Sequence, residues 1–515
     1  MDIVGAHWAM LVGFLGRYTN KKIIVTCGLS ALLIRILHQY YRKYQLNKRL
    51  KRKKLYLEKS FSSLRSALET LPDSREELLA LTELDLCDLR KKIADGTLTP
   101  ARLLHAYQLK ALSLFDKGNS GICEFVREAE NRAQNLHPVG DASKRSPLYG
   151  IPISVKETLL LTGYDSTAGL IKRCNMPARN MVNPYNPERI TGGSTCGEAV
   201  LLTQRGSPVG IGTDIGGSIR IPAAFCGLAS LKPTYRRLSS VGLHILLPSS
   251  SIVLHPCFYD TFTDPHLMHT VPVIRESINQ AAAALAKAGH HIVRFEPPNI
   301  LKAYRLFLRA LFADGGSELR SILAHEPLCK QLKMLRAALL LPHWMKTTAD
   351  FVLSIIGCRP MALTCSLSGL YGAKDFSDLQ TAIQSYRQEF ASSISCMSAV
   401  ICPVSAYPAP PCSAPPALVT FSLFYAALYN LLDYPAGTVL TGFVDRVDVM
   451  EATKATINQR LDGELFQSRV SVMQKNSEGL PVAVQVVGKP FREETVLRVM
   501  RTLESSLAQP APAST

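Results

Sequence analysis

Two serines, each directly after a Gly-Gly pair, constrain this chain more than any other feature. They lie in residues 191–234, TGGSTCGEAVLLTQRGSPVGIGTDIGGSIRIPAAFCGLASLKPT, where nine positions are glycine and the serines are Ser194 and Ser218. Glycine reaches positive φ without a Cβ penalty and lets bare backbone approach a ligand closely. A serine after such a turn, with successive N–H groups converging beside it, suits acyl transfer: the hydroxyl attacks a carbonyl and the amides receive the oxyanion. Two competing readings fail. Gly210-Ile-Gly212-Thr-Asp-Ile-Gly216 superficially fits a dinucleotide loop, but that loop needs a helix at once and an acidic residue about 20 positions on. Here Pro222 interrupts the helix early and the region around 230–240 is basic and polar. A P-loop is excluded because no Gly-Lys-Ser/Thr sequence occurs. A purely structural glycine loop accounts more easily for one such cluster than for two with matching serines.

A serine needs a base to become a nucleophile. No histidine lies between Lys156 and Ser240, so the usual partner is missing from this part of the chain. Lys156 ends the apolar run Tyr149-Gly-Ile-Pro-Ile-Ser-Val-Lys156-Glu157. A lysine at the buried end of a strand loses hydration, which lowers its pKa and frees it to act as a neutral base. In isolation Lys156 reads as a surface residue paired with Glu157; beside the two Gly-Gly-Ser turns the base reading is the stronger one.

The rest of the chain reads as an α/β body. With 515 residues, 47% of them hydrophobic, it can bury a large core. Thr99-Pro100 marks a helix start, Thr as N-cap and Pro at the first helical position, with Leu103, Leu104, Tyr107 and Ala111 on one face. Ile151–Val155, Val400–Val404 and Val482–Val487 suit buried strands. Ile278–Ala288 is an Ala-rich helix closed by Gly289, and His291–Phe295 reads as a strand. Strands interleaved with helices argue for a sheet with helices on its faces.

The net charge of +17 suggests nucleic acid until it is located. Residues 1–60 hold thirteen Lys and Arg against Asp2 and Glu58, with a dense block through Arg42, Lys43, Lys48, Arg49, Lys51, Arg52, Lys53 and Lys54. This block follows two apolar stretches, Ile3–Leu15 and Ile23–Leu37, the second interrupted by Arg35. A basic run beside apolar sequence fits a membrane flank, and no base-reading motif accompanies it, so no nucleic-acid partner is expected. We expect an uncleaved membrane anchor over residues 1–41, a basic juxtamembrane linker over 42–69 and the catalytic body from 70 to 507 on the cytosolic side, with a disordered tail at 508–515. Leu332–Leu341 and Trp344–Ile356 form an apolar helical pair carrying Lys333, Arg336 and Lys346. That pair reads either as a buried hairpin or as a second membrane-docking surface. The thirteen cysteines form no CxxC pair and no Cys/His cluster, so reduced thiols and no metal are expected.

Three motifs taken together resemble the amidase signature family: GIPISVKE around Lys156, GGSTCGE around Ser194, and GTDIGGSIRIPAAFCGLASLKPT around Ser218. The segments PLYGIPISVKE, GYDSTAGL, SPVGIGTDIGGSIR, LYNLLDYPAGTV and SEGLPVAVQVVGKPFREE look most like the animal branch that acts on lipid amides. The resemblance runs, with gaps, from about residue 70 to 507. It implies a mixed twisted central sheet covered by helices on both faces. It implies Ser218 as nucleophile, Ser194 as proton relay and Lys156 as base, with a cis Gly193–Ser194 peptide. The N–H groups of Ile215, Gly216, Gly217 and Ser218 would form the oxyanion hole, and Asp214 and Arg220 would support the site without reacting. It further implies a long-chain fatty acid amide substrate such as an N-acylethanolamine, membrane lipid as a partner, a homodimer, no cofactor, and residence on the endoplasmic reticulum or Golgi.

Two departures stand against that pattern. Lys156 and Ser194 are 38 positions apart, shorter than the family's spacing by roughly one βα unit of ~30 residues, with the loss between Asn180 and Met181. A second gap follows Leu243, where HILLPSSSIVLHPCF replaces a family segment and its helix. Loss of two buried pieces would expose core and unpair sheet backbone, a cost of several kcal/mol against a total stability of only about 5–15 kcal/mol. Thr195-Cys196 also replaces the Ser-Gly usual after the relay serine, adding bulk there. Besides the lipid amidase, a membrane-associated pseudoenzyme and an amidase for small polar amides therefore stay open.

Overall fold

The computed structural model describes residues 21–118, 121–136 without 127, 147–156, 182–237 without 236, 256–317 without 265 and 266, 369–414 without 371, 422–446, and 470–507 without 471, with single positions 345, 348 and 352. The first apolar stretch, nearly all of the 332–356 pair, the 180/181 junction, most of the segment after Leu243 and the 508–515 tail lie outside the described residues. By contact density the chain divides into residues 1–60 and 61–515.

The first unit carries most of α1, Lys21–Glu69, a helix of 49 residues. The expected boundary between anchor and linker at 41/42 is not a break in the helix, which runs on through the basic block. Nothing in that block stops a helix: it holds no Pro or Gly, and Lys and Arg are good helix formers. Leu29, Leu33, Ile34, Leu37, Tyr40 and Tyr41 are exposed along it. No helix among the described residues is long and apolar enough to cross a membrane.

The second unit begins with the last turns of α1, where buried Phe61 meets Phe115 edge-on at 4.6 Å and Phe125 at 5.2 Å. Helices α2 (Arg75–Leu81), α3 (Leu86–Ala94) and α4 (Pro100–Asp116) follow. As the sequence predicts, Thr99 caps α4, its side chain accepting from the Arg102 N–H at 3.2 Å, with Pro100 in the first turn. Leu103, Tyr107 and Ala111 are buried on its inner face, while Leu104 is half-buried.

Two sheets are described. A parallel pair joins β1 (Ser154–Val155) to β2 (Gly210–Ile211), with α5 (Cys196–Thr203) between them in sequence. Of the strand expected over 151–155, only its last two residues pair. After α6 (Arg220–Phe225) come β3 (Ser230–Lys232), β4 (Pro256–Phe258), α7 (Pro272–Lys287), β5 (Val293–Arg294), α8 (Ile300–Leu311) and α9 (Ala373–Ser393). Then β6 (Ala399–Pro403), α10 (Phe424–Leu431), β7 (Ala436–Phe443), β8 (Pro481–Gly488) and α11 (Glu493–Ser506) complete the body. The larger sheet has the order β3-β7-β8-β6-β4-β5; its first three pairings are antiparallel and the last two parallel. Residues 256–258, the end of the segment that replaces the expected family piece, form β4 and pair with both β6 and β5, so this sheet stays continuous there.

Helices cover both faces, as expected. Ala399, Ile401, Val484 and Val486 pack with Ile278 and Leu285 of α7 and Val496 and Leu503 of α11. Val400, Cys402, Ala483 and Val487 turn to the other side, toward α6 and α10. This period-2 division explains why β8 is buried at every position and is apolar at all but one of them. Each fully buried valine or leucine contributes about 1.5–3 kcal/mol. The one polar residue in the run, Gln485, is fully buried and satisfied: its amide donates to the Pro403 and Tyr425 carbonyls, both at 2.7 Å. The described cysteines are all free thiols.

Candidate active site

Three segments converge on one place. Strand β1 leads directly into Lys156, whose N–H donates to the Ile211 carbonyl at 2.8 Å and so continues the bonding to β2 by one residue. Strand β2 runs straight into Gly212–Ser218, the loop that leads to α6. The third segment, Thr191–Thr195, turns sharply into α5. Gly192 has φ +79 and lies against the Pro222 backbone, where a Cβ would sit 3.0 Å from the ring nitrogen, so only glycine fits. The Gly193–Ser194 peptide is cis.

Lys156 is buried, 6% exposed. Its ammonium donates to Ser194 Oγ at 2.7 Å and to Thr213 Oγ1 at 2.9 Å. Burial lowers its pKa, with Cys196, Asp214 and Glu198 opposing the shift. Ser218 joins through the backbone: its carbonyl accepts the Thr195 N–H at 3.0 Å, which ties the two serine turns together. Among the described residues no hydrogen bond links the Ser218 hydroxyl to that of Ser194.

The loop before Ser218 is held from below. Asp214 and Arg220 form a buried ion pair, 1% and 0% exposed in their side chains, with Nε–Oδ2 at 3.0 Å and Nη2–Oδ1 at 2.9 Å. Asp214 also accepts from the Gly217 N–H at 2.7 Å and the Ile219 N–H at 3.2 Å. Burial alone would raise this carboxyl, but Arg220 and the hydrogen bonds outweigh it and hold the group well below the usual carboxylate range. Asn430 of α10 donates to the Asp214 carbonyl at 2.7 Å and to Oδ1 at 3.0 Å. Arg220 reaches on to Gln485 Oε1 and the Ala426 carbonyl, at 3.0 and 2.9 Å, and so fastens the loop to β8 and α10.

Of the four amides expected as oxyanion donors, that of Gly217 is therefore engaged by Asp214. Gly217 also cannot carry a side chain: its φ is +104, and a Cβ would meet Ile221 Cδ1 at 2.6 Å and Ala426 Cβ at 2.7 Å. Ile215 projects outward, 69% exposed, and Gly216 lies against Phe307 of α8. Thr195-Cys196, the pair that follows Ser194, is accommodated. Thr195 packs on Gly212, where a Cβ would come within 2.6 Å of it, and Cys196 begins α5. On the same helix Glu198 accepts a hydrogen bond from the Ser154 hydroxyl, and burial pushes its carboxyl up to about 7, with Ser154 and Lys156 opposing. Thr213, Asn430 and Glu198 are not among the expected site residues, although they lie within GTDIGGS, LYNLLDYPAGTV and GGSTCGE. Among the described residues no cluster of three or more His, Cys, Asp or Glu is arranged to hold a metal ion.

A family model described as amidase matches residues 102–180, 172–255 and 262–497. Fatty acid amide hydrolase 1 of Caenorhabditis elegans is 26% identical over 539 residues, spanning 87% of this chain and 92% of the relative. Fatty-acid amide hydrolase 1 of Sus scrofa is 30% identical over 527 residues, spanning 85% and 88%. A solved structure of a fatty acid amide hydrolase has the same fold, with a TM-score of 0.61 at 21% identity over 88% of this chain and 95% of its own. A match along most of the chain, falling on the segments that bring Lys156, Ser194 and Ser218 together, makes this chain a member of the amidase signature family of hydrolases.

Proposed function

We propose that this protein hydrolyses long-chain fatty acid amides at a membrane surface by a Ser-Ser-Lys mechanism. The observation that carries the mechanism is the 2.7 Å hydrogen bond from the buried Lys156 ammonium to Ser194. In the neutral form Lys156 takes the Ser194 proton as Ser194 takes that of Ser218. The Ser218 oxygen then bonds to the amide carbon, and the carbonyl π pair moves onto oxygen. The amides of Ile215, Gly216 and Ser218 face that charge, while Gly217 serves the loop through Asp214. On collapse the C–N bond breaks, and the leaving amine receives a proton from Ser194, which Lys156 replaces. Water then attacks the acyl-Ser218 ester by the reverse relay, releasing the fatty acid.

The lipid substrate is supported by the two animal relatives, whose names give fatty acid amides as what they hydrolyse. Membrane binding is supported by the exposed Leu29, Leu33, Ile34 and Leu37 of α1, followed by exposed Lys48, Arg49, Lys51 and Arg52. An exposed apolar stretch that leads into a basic one suits a helix lying at the interface of an anionic leaflet. With the basic flank inward, the body faces the cytosol from the endoplasmic reticulum or Golgi, as a homodimer.

The test is covalent labelling of the full chain in membranes by a fluorophosphonate, followed by hydrolysis of an N-acylethanolamine and of acetamide. The reading expects labelling of the wild type, none of Ser218→Ala, and a preference for the lipid amide. A folded wild type that does not label leaves a pseudoenzyme. Preference for acetamide, with release from membranes by salt alone, makes it a small-amide amidase.

A further inference from the structure

Lys156 reaches Ser194 only if β1 and α5 keep their spacing, and one pair of side chains spans that gap. Ser154 of β1 donates to Glu198 of α5. Ser154 stands two residues before the lysine and Glu198 four residues after the relay serine. Beneath them Gly210 leaves the space: a Cβ there would fall 3.1 Å from Glu198 Oε2 and 3.4 Å from Ser154 Oγ. A carboxylate in the first turn of a helix normally offsets the helix dipole from solvent. This one is turned inward instead.

We infer that Glu198 is a positioning residue for Lys156: with Ser154 it clamps the lysine's strand to the helix that follows Ser194. The inference rests on the base role proposed above for Lys156. Among the described residues, the charged and titratable groups around the pair are few. Lys156 stands at the end of β1, and Cys196 shares α5 with Glu198. Asp214, held by Arg220 of α6, also bears on the lysine. Segment 121–126, which meets α5 where Gly121 abuts Gly197, carries Cys123 and Glu124. Of these, Glu198, Asp214 and Cys196 favour the charged lysine while burial disfavours it. Asp214 is locked in its ionised form, which leaves Glu198 as the carboxylate whose state changes near neutrality.

The experiment is the pH dependence of fluorophosphonate labelling of the membrane-bound full chain, with thermal unfolding of each variant alongside. In Glu198→Gln the lysine loses a negative neighbour, so its neutral form persists to lower pH. The acid limb of the profile moves down by a few tenths of a unit to about one unit. Ser154→Ala removes a bond that favours the Glu198 carboxylate and shifts the limb the same way by less, while Ser154→Thr, which keeps the hydroxyl, restores the wild-type limb. A uniform loss of labelling at every pH, with the limb unmoved in both Glu198→Gln and Ser154→Ala, overturns the inference and leaves a merely structural contact. Labelling by Lys156→Ala at the wild-type rate and pH limb overturns the base role itself, an outcome distinct from the first.

Discussion

Ser218 and Lys156, the proposed nucleophile and base, are held in different ways. The loop carrying Ser218 is fastened by a buried ion pair whose arginine reaches β8 and α10 of the six-stranded body. Lys156 instead rides on a two-residue strand whose only strand partner, among the described residues, is the equally short β2. Its position depends on local bonds: its own N–H to Ile211, its ammonium to Ser194 and Thr213, and Ser154 to Glu198. Stability is thus concentrated on the serine side, and the geometry on the lysine side hangs on a few hydrogen bonds. Substitutions on the first side should act mainly on folding, those on the second mainly on reactivity.

The largest effect tests the serine side. Arg220→Leu leaves Asp214 as an unpaired buried charge and should cost about 3–5 kcal/mol of unfolding free energy in a denaturant titration. A smaller loss would mean that the ion pair is not what ties the loop to the sheet. Gly217→Ala forces a side chain into a positive-φ position already filled by Ile221 and Ala426, with an expected loss of about 1–3 kcal/mol by the same measurement. Thr213→Val, on the lysine side, removes one bond to the ammonium and should change stability by only about 1 kcal/mol. Its fluorophosphonate labelling rate should nonetheless fall several-fold at alkaline pH, where the lysine is neutral with or without that bond and only its positioning is lost. Equal losses of stability in Thr213→Val and Arg220→Leu would erase the distinction between the two sides. Thr99→Ala, far from both, deletes a helix cap for about 1 kcal/mol and should leave the labelling rate of the folded protein unchanged.

Local features were legible in advance. The Thr99-Pro100 cap, the buried runs that became β6 and β8, and the glycine turns beside Ser194 and Ser218 each declare themselves within a few residues. The supports of the site do not. Asn430 lies 216 positions from Asp214, and Gln485 lies 265 from Arg220, so no local pattern joins them. Strand length is not legible either: apolar residues at 151–153 suit a strand, but pairing begins only where β2 supplies a partner, at Ser154. The helix over 278–288 starts earlier, at Pro272, because proline in a first turn continues into whatever helix follows it. The composition of α1 changes at residue 41, where anchor and linker are expected to meet, while its backbone continues unbroken.

The loop that presents Ser218 is wrapped around a resident anion of its own. Asp214 draws in the amides of Gly217 and Ile219 and the side chains of Arg220 and Asn430 before any substrate arrives. The shape of the loop is therefore set by an internal ligand that never leaves. Its backbone should show the same slow amide hydrogen exchange at Gly217 whether Ser218 is free or carries an acyl group.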